Sequence, residues 1–389
     1  MTKTHRKLDL LIPQYKETDE KLVKMFDSIL AQETIGFTWD DIGVIIVNDG
    51  TDVHLSDKLL NSYPFKIEYY LEEHRGVSGT RDACFNHSTA DYVMFCDADD
   101  KFCDVCGLYY IFREMNTFNQ CAKFDPNCAY YTPNMETKKM EYCKRQPTIN
   151  TFKKKPYFIK GFDALVSVFR EESRHPITKD VIYINRGDAK TQGSPDSTFV
   201  HGKVYRREYL LRENIRWNPA LTIHEDSYFN ILAMKSTMYM KYCNQPFYLW
   251  KWYDESVCRH DPKYILKTFN NLLDSNSALI REFVKRGKED LAMFYVTSMI
   301  FDAYMTLNKE EWINQENQEY RQAVEERFRV YYKEFKDLFL KLKDSDKPEN
   351  KALVNKIYAG QKNRFFREGM FMEEITFKDW IAFIESETK

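Results

Sequence analysis

The sequence predicts an α/β fold with a mostly parallel sheet, followed by an all-α C-terminal region. Three observations carry that prediction. From residue 8 to about 100, short apolar runs alternate with amphipathic segments, the pattern of repeated β-α-β units. Acidic turns follow two of those runs, at Asp49 and at Asp97–Asp100. From residue 262 onward the texture changes to long helical patterns in which Gly and Pro are nearly absent. A length of 389 residues with 43% hydrophobic content supplies two or three structural units and a large core.

In chain order, the strands expected are Leu8–Ile12, Gly43–Asn48, Lys66–Leu71 and Tyr92–Cys96. Between the first two, Leu22, Met25, Phe26, Ile29 and Leu30 recur at helical spacing in Asp19–Gln32, behind an acidic first turn. Val77–Ser88 reads as a helix opened by Gly76, and 103–118 as another. The stretch 126–200 is less regular, with short Tyr-rich strands, turns at Pro133 and Pro147, and a polar loop from Gly187 to Ser197. Beyond it come a strand-like run Phe199–Tyr205, a helix from Glu225 to Lys235, and two short strands around Pro246 within Tyr239–Trp250. Helical patterns then cover Tyr264–Lys285, Glu289–Leu307 and Gln318–Leu342, with shorter pieces to the end. In an open α/β sheet ligands bind beyond the carboxyl ends of the strands, so the loops after the first four strands are the place to look for chemistry.

Composition removes several classes. With 57 Lys and Arg against 59 Asp and Glu, a net charge of −2 gives no overall attraction to a polyanion. Residues 138–160 are locally basic, with Lys138, Lys139, Lys144, Arg145, Lys153, Lys154, Lys155 and Lys160 against Glu141. Such a stretch serves either as a solvated, lysine-guarded edge or as a contact for an anionic acceptor. The opening apolar stretch, Leu8–Ile12, is interrupted by Asp9, ended by Pro13, and too short for a secretory core. The best membrane candidate, Leu291–Met305, carries Thr297, Ser298 and Asp302. An untargeted, cytoplasmic protein is expected, and the odd set of 9 scattered Cys agrees with reduced thiols. Cys103 and Cys106 would make half a zinc site with Cys121 and Cys128, but a second Cys-x-x-Cys is missing, and on a helix the spacing merely places two small residues on one face. The chain contains no Walker loop, no Gly-x-Gly-x-x-Gly and no His-Glu-x-x-His.

Three segments carry the chemistry. Tyr92–Cys96 runs straight into Asp97, Asp99 and Asp100, and two carboxylates at i and i+2 beyond a strand end can converge on one hard cation such as Mg²⁺ or Mn²⁺. An Asp-rich surface turn would give the same letters; the place after the fourth strand favours the metal. Glu225 and Asp226 stand immediately before an apolar helical face. They complement the helix dipole, or they supply a general base within reach of a hydroxyl at the same cleft. Asn48-Asp49-Gly50 makes a turn, or aims a carboxylate at a nucleotide base or ribose.

Taken together, these segments resemble the GT-A glycosyltransferases of family 2, an inverting family that uses nucleotide sugars. Leu10-Leu-Ile-Pro13-Gln-Tyr15 resembles the family's opening strand and turn, followed by a helix with Ser28-Ile29-Leu30 and Gln32; Val47-Asn-Asp49-Gly-Thr51 resembles its Asp-Asp-Gly-Ser segment. His74-Arg-Gly76 through Arg81-Asp82 resembles its Asn-x-Gly…Ala-Arg-Asn segment, and Asp97-Ala-Asp99-Asp100 its Asp-x-Asp. Gly202-Lys203-Val204-Tyr205-Arg206-Arg207, Ile215-Arg216-Trp217 and Glu225-Asp226 resemble the acceptor half, and Ser256-Val257-Cys258-Arg259 a loop that folds over the donor. Asn48, His74 and Asp82 depart from the usual residues, and nothing familiar matches the helical tail.

The resemblance implies a Rossmann-like GT-A domain over 1–261, with a nucleotide-sugar-binding half at 1–125 and an acceptor half at 126–261, followed by the helical region 262–389. It implies a divalent metal, Mn²⁺ or Mg²⁺, on Asp97 and Asp99, with His260 on the closing loop as a third ligand. Pro13, Tyr15, Asp49, His74, Arg81, Asp97 and Arg259 would hold the donor, a nucleotide sugar of the UDP type, with Asp49 on the base and Arg81 on the nucleotide or on the Asp cluster. Asp226 would be the base that activates the acceptor hydroxyl, and Glu225 would orient that base or the acceptor. Acceptors left open are a polysaccharide, a cell-wall polymer, a protein or a modified DNA base, and the helical tail is a candidate for self-association. Two alternatives stand beside this reading. One is a sugar-nucleotide nucleotidyltransferase, which should carry a Gly-rich basic loop after the first strand, where Pro13-Gln-Tyr15 stands. The other is an inactive sugar-nucleotide-binding module, against which the intact acids at 97/99 and 225/226 weigh.

Overall fold

The computed structural model describes residues 5–121, 131–134, 139–142, 157–172, 180–183, 199–236, 240–251, 262–308 and 318–343. The chain divides into two compact units, Met1–Tyr253 and Asp254–Lys389.

The first unit begins with β1 (Leu8–Gln14), α1 (Asp19–Leu30), β2 (Ile42–Asp49), α2 (Asp57–Leu60), β3 (Lys66–Glu72), α3 (Gly76–His87) and β4 (Tyr92–Phe95). After these come β5 (Lys101–Phe102), α4 (Gly107–Asn116), β6 (Phe118–Cys121), β7 (Tyr131–Asn134), β8 (Lys139–Tyr142), β9 (Tyr157–Lys160), β10 (Ala164–Glu172) and β11 (Asp180–Tyr183). The unit closes with β12 (Lys203–Arg206), α5 (Arg207–Arg212), α6 (Glu225–Ser236) and β13 (Met240–Trp250).

The main sheet has the order β3-β2-β1-β4-β12-β10-β13-β5, with β11 added on β10. Strands β3, β2, β1 and β4 are parallel, joined by helical crossovers. Beyond β4 the sheet is mixed: β12 is antiparallel to both neighbours, whereas β10 and β13 are parallel. Being central, β1 and β2 are apolar on both faces, which is why they read as continuous apolar runs. On one face Leu8, Leu10 and Ile12 pack with Leu22, Met25, Phe26 and Ile29 of α1 and with Leu108, Ile111 and Phe112 of α4. Gln32 ties α1 to α4: its amide donates to the Asp104 carbonyl at 2.8 Å and accepts from the Leu108 N–H at 2.9 Å.

In this unit the structure differs from expectation in three places. The 240–250 segment is one strand, and Pro246 sits where the register with β10 shifts between Ser167 and Phe169, so the interruption is a bulge. Pro133 lies inside β7, opposite Met140 on β8, and is no turn. In Phe199–Tyr205 only Lys203 onward is strand. Pro147 and the 187–197 loop fall outside the described residues.

The second unit contains α7 (Pro262–Lys285), α8 (Glu289–Asn308), α9 (Gln318–Glu334) and α10 (Lys336–Lys343). The helix expected over 318–342 breaks at Phe335, giving α9 and α10. Leu279, Phe283, Met293, Val296, Phe328 and Phe339 are buried, and Arg281 of α7 meets Glu334 of α9 at 2.5 and 2.7 Å. Among the described residues, no helix is long and apolar enough to cross a membrane.

Candidate active site

The parallel register sets the site. Gln14 pairs with Asn48, and Leu11 with Phe95, so β1, β2 and β4 end at one edge of the sheet. A cleft of about 320 Å³ opens there. Its walls are Pro13 and Gln14 at the end of β1, Tyr15 and Glu17 just after it, Asp49 at the end of β2, and His74 with the first turns of α3 from Gly76 to Arg81. Asp97, Ala98 and Asp99 after β4 complete it.

On the β2 side the chain forms a fixed turn. Asn48 accepts the Thr51 N–H at 2.8 Å and donates its amide to the Val53 carbonyl at 2.9 Å and the Tyr69 hydroxyl at 3.0 Å. A carboxylate could not make those donations, which accounts for Asn at this position. Asp49 accepts the Arg75 N–H at 2.6 Å and faces His74 Nδ1 at 2.9 Å, and His74 packs beside Tyr15 with ring centroids 5.3 Å apart. Gly50 is required between them: its φ is +69°, and a Cβ there would lie 2.5 Å from the His74 nitrogen.

On the β4 side, one arginine gathers three acids. Arg81 of α3 is buried, and its Nη2 donates to Asp97 at 2.9 Å. Its Nη1 donates to Glu225 at 3.0 Å and Asp226 at 2.5 Å, both in the first turn of α6. The guanidinium lies 4.7 Å over the Trp217 ring, which stacks on Phe229 at 4.4 Å. One cation does not balance this charge. Burial, aided by Asp226, pushes Glu225 up to about 7. Burial also raises Asp226, against the pull of Arg81. Burial opposes ionisation of Asp97 too, but Arg81 and then His201 outweigh it and hold that carboxyl below its usual range. His224, just before α6, has a φ of +62°, a left-handed conformation that turns the chain into the helix at this point.

Asp99 and Asp100 part company. Asp99 opens on the cleft, where burial and the charges of Asp97 and Glu17 push it up to about 6. Asp100 points inward, accepting from the Tyr248 hydroxyl at 2.7 Å and the Lys251 N–H at 2.8 Å, and burial raises it well above the carboxylate range. Tyr248 in turn accepts the Asp97 N–H at 2.9 Å. His201 stacks on Tyr248 and Trp250, its Nδ1 3.5 Å from Asp100. Asp97, Asp100 and His201 are the group of potential metal ligands that draws closest among the described residues, with one ligand atom from each lying within 4.8 Å of the others. The surplus of carboxylate at the cleft, in Asp97, Asp99 and Glu17, fits a divalent cation.

The structure thus brings Pro13, Tyr15, Asp49, His74, Arg81, Asp97 and Asp99 to one cleft, and Arg81 joins them to Glu225 and Asp226. Arg259, His260 and the donor loop lie outside the described residues, as do most of the basic residues of 138–160. Sequence reasoning missed Glu17, although an acid two residues after Tyr15 was a signal. It also missed His201, for which no local pattern spoke. Asp82 is occupied by Arg216 at 2.8 Å, which accounts for a charge in place of the family's amide.

The profile of glycosyl transferase family 2 matches residues 9–120. This segment is a family 2 glycosyltransferase domain. The match takes in every residue of the cleft wall and ends before Glu225 and Asp226. Glycosyltransferase GlyA of Streptococcus pneumoniae is 30% identical over 96 residues, 24% of this chain and 13% of that protein. The uncharacterized glycosyltransferase EpsJ of Bacillus subtilis is 21% identical over 248 residues, 63% of this chain and 60% of its own length. The chain therefore spans less than two thirds of either relative. In structure, it is similar to S. aureus TarS 1-349, with a TM-score of 0.50 at 12% identity over 94% of this chain and 93% of that one. The same fragment in complex with UDP-GlcNAc aligns equally well, again at 12% identity and a TM-score of 0.50 over 94% and 93% of the two chains. The likeness establishes the GT-A fold of the family 2 domain and its extension into a helical region.

Proposed function

We propose that the chain is an inverting glycosyltransferase that moves a sugar from a nucleoside diphosphate, of the UDP type, to an acceptor hydroxyl by a single displacement. The observation that carries this reading is the Arg81 bridge, which holds an acid of the donor cleft, Asp97, and two acids of α6, Glu225 and Asp226, around one guanidinium. Donor-side and acceptor-side carboxylates are then close enough to act on one bond.

The β2 side takes the nucleotide, with Tyr15 beside the base and Asp49 and His74 on its polar edge. The UDP-GlcNAc complex of TarS supports a nucleotide sugar as the ligand class. Asp97 and Asp99 would hold a Mn²⁺ or Mg²⁺ ion, which supplies positive charge to the departing diphosphate. Asp226 removes the proton of the attacking hydroxyl, with Arg81 and Glu225 fixing its direction. Attack from the face opposite the leaving group gives a β-linked product from an α-linked donor. His260 and Arg259 remain candidates for closing over the donor. The helical region 262–389 serves acceptor binding or self-association, and the acceptor is a polysaccharide, cell-wall polymer, protein or modified DNA base. A reducing, cytoplasmic setting belongs to the same reading, from the odd set of 9 scattered Cys in the sequence.

The test is a panel of nucleotide sugars scored for binding and for slow hydrolysis in Mn²⁺ and in EDTA. Metal-dependent release of one nucleoside diphosphate is expected, with Asp99→Ala reduced to the EDTA level while still melting cooperatively. Full activity of Asp99→Ala in EDTA would reject the metal-assisted mechanism.

A further inference from the structure

The reading above leaves a buried cation, Lys203, unused. Lys203 begins β12, opposite Val166 on β10, and is 1% exposed. A lysine is seldom kept so deep without a task, because its ammonium must recover by hydrogen bonds what it loses in hydration. Its Nζ donates to the Phe199 carbonyl and, at 3.4 Å, to the His201 carbonyl. Those two carbonyls belong to the strap of 199–202 that leads into β12. The strap is pinned a second time at Phe199, whose carbonyl also accepts the Asn230 amide of α6 at 2.7 Å. At its far end the Gly202 carbonyl accepts the Ser167 N–H at 2.8 Å.

What the strap presents is specific. The Val200 N–H donates to Asp226 Oδ2 at 3.2 Å, while Asp226 Oδ1 takes Arg81. One residue later, His201 stands against Asp100. We propose that Lys203 is the positioning residue for the base: it ties down the 199–202 strap so that the Val200 N–H fixes the second oxygen of Asp226 in the direction the proton transfer needs. The position of Lys203 adds a second effect of the same sense, since its charge acts on Asp226 together with Arg81, against the carboxylates of Asp97 and Glu225. Two cations, one from α3 and one from β12, thus approach the base from different elements. The inference rests on Asp226 being the base, and its test separates the two.

The experiment uses the full chain with Mn²⁺ and follows UDP release from UDP-GlcNAc. If wild type releases no nucleotide from this or any donor of the panel, the functional reading itself fails, before any variant is made. Given turnover, Lys203→Met keeps the aliphatic volume and removes charge and donors. The expected result is a kcat lower by about tenfold or more, the scale of one lost hydrogen bond to a charged group, with KM and UDP affinity within about twofold. A packing role alone would not produce that split. In an Asp226→Asn background, Lys203→Met should cost nothing further, because residues acting through one group are not additive. Lys203→Arg, which keeps charge and donors, should recover part of the rate. A kcat for Lys203→Met within about twofold of wild type, a loss confined to KM, or an undiminished loss in the Asp226→Asn background would overturn the proposal. Should Lys203→Met fail to melt cooperatively, Val200→Pro, itself checked for cooperative melting, removes the N–H that reaches Asp226. The same split is expected of it, and a full rate would overturn the proposal equally.

Discussion

Two arginine centres lie at opposite edges of the same parallel sheet, and they solve opposite problems. At the amino edge, Arg6 meets Asp9 at 2.7 Å and also pairs with Glu68, which Lys66 joins at 3.0 Å. Asp9 is further satisfied by the Ser88 hydroxyl at 2.7 Å, and Glu68 by the Tyr70 hydroxyl at 2.6 Å. Burial works against Glu68, yet the bonds from Tyr70, Arg6 and Lys66 outweigh it and hold that carboxyl at about 2. At the carboxyl edge, Arg81 is shared by Asp97, Glu225 and Asp226, and Glu225 rises to about 7 and Asp99 to about 6. Similar residue types give a settled centre at one edge and an electrostatically strained one at the other. Carboxyl groups raised in this way beside a cleft mark it as a candidate functional site.

The largest effect should follow from removing the shared cation. Arg81→Met leaves three carboxylates facing each other in a buried site, so a loss of about 3–5 kcal/mol is expected, measured by denaturant unfolding. Arg6→Met at the amino edge should lower stability too, while leaving nucleotide-sugar turnover in the folded protein unchanged. Equal loss of specific activity in both variants would erase the distinction between the two edges.

Next comes the division of labour on α6. Asp226→Asn should lower transfer by about 10²–10⁴-fold with near-normal donor binding, and Glu225→Gln should lower it less. Glu225, held near 7, is the observation that competes with this assignment, since a base works best with a pKa near the working pH. A larger loss in Glu225→Gln than in Asp226→Asn would transfer the role of base to Glu225.

Much of the fold and of the cleft is legible in the sequence, and the part that is not has a physical reason. The parallel half of the sheet could be read because β1 and β2 are buried on both faces and so lack any polar alternation. Asp97, Asp99 and Asp49 could be read because each stands at or just beyond the carboxyl end of a strand. The reach of Arg81 to α6 could not, since Glu225 and Asp226 are 144 and 145 residues away in the chain, a separation set by the sheet order and invisible to periodicity. Nor could the opposite fates of Asp99 and Asp100, which depend on Tyr248 from β13 and the Lys251 N–H just after it reaching back to Asp100. Pro246 suggested two strands because proline lacks the donor a ladder needs, and the structure absorbs it in a bulge instead.

The smallest effect is in the pH dependence of stability, where the two edges should have opposite signs. Glu68 has a folded pKa of about 2 against an ordinary 4.5, so its stabilisation is complete above the unfolded value and is lost as pH falls from about 4.5 through 2. Because the group is partly solvated, about 1–2 kcal/mol is a reasonable scale, and Glu68→Gln should flatten the acid limb by that amount. Glu225 is the reverse: with a folded pKa of about 7, the folded state holds the extra proton, and stability falls as pH rises from about 4.5 to 7. Glu225→Gln should lessen that decline, to which the raised Asp99, Asp100 and Asp226 add in the same direction, without changing the limb below pH 4. Saturating Mn²⁺ at Asp97 and Asp99 should oppose the decline in wild type, because a cation favours the ionised acids around it. Unfolding curves collected from pH 3 to 8, with and without Mn²⁺, test both slopes at once. A wild type whose stability climbs steadily through pH 7 without metal would mean that the carboxyl-edge acids are already balanced, and the contrast between the two arginine centres would fall.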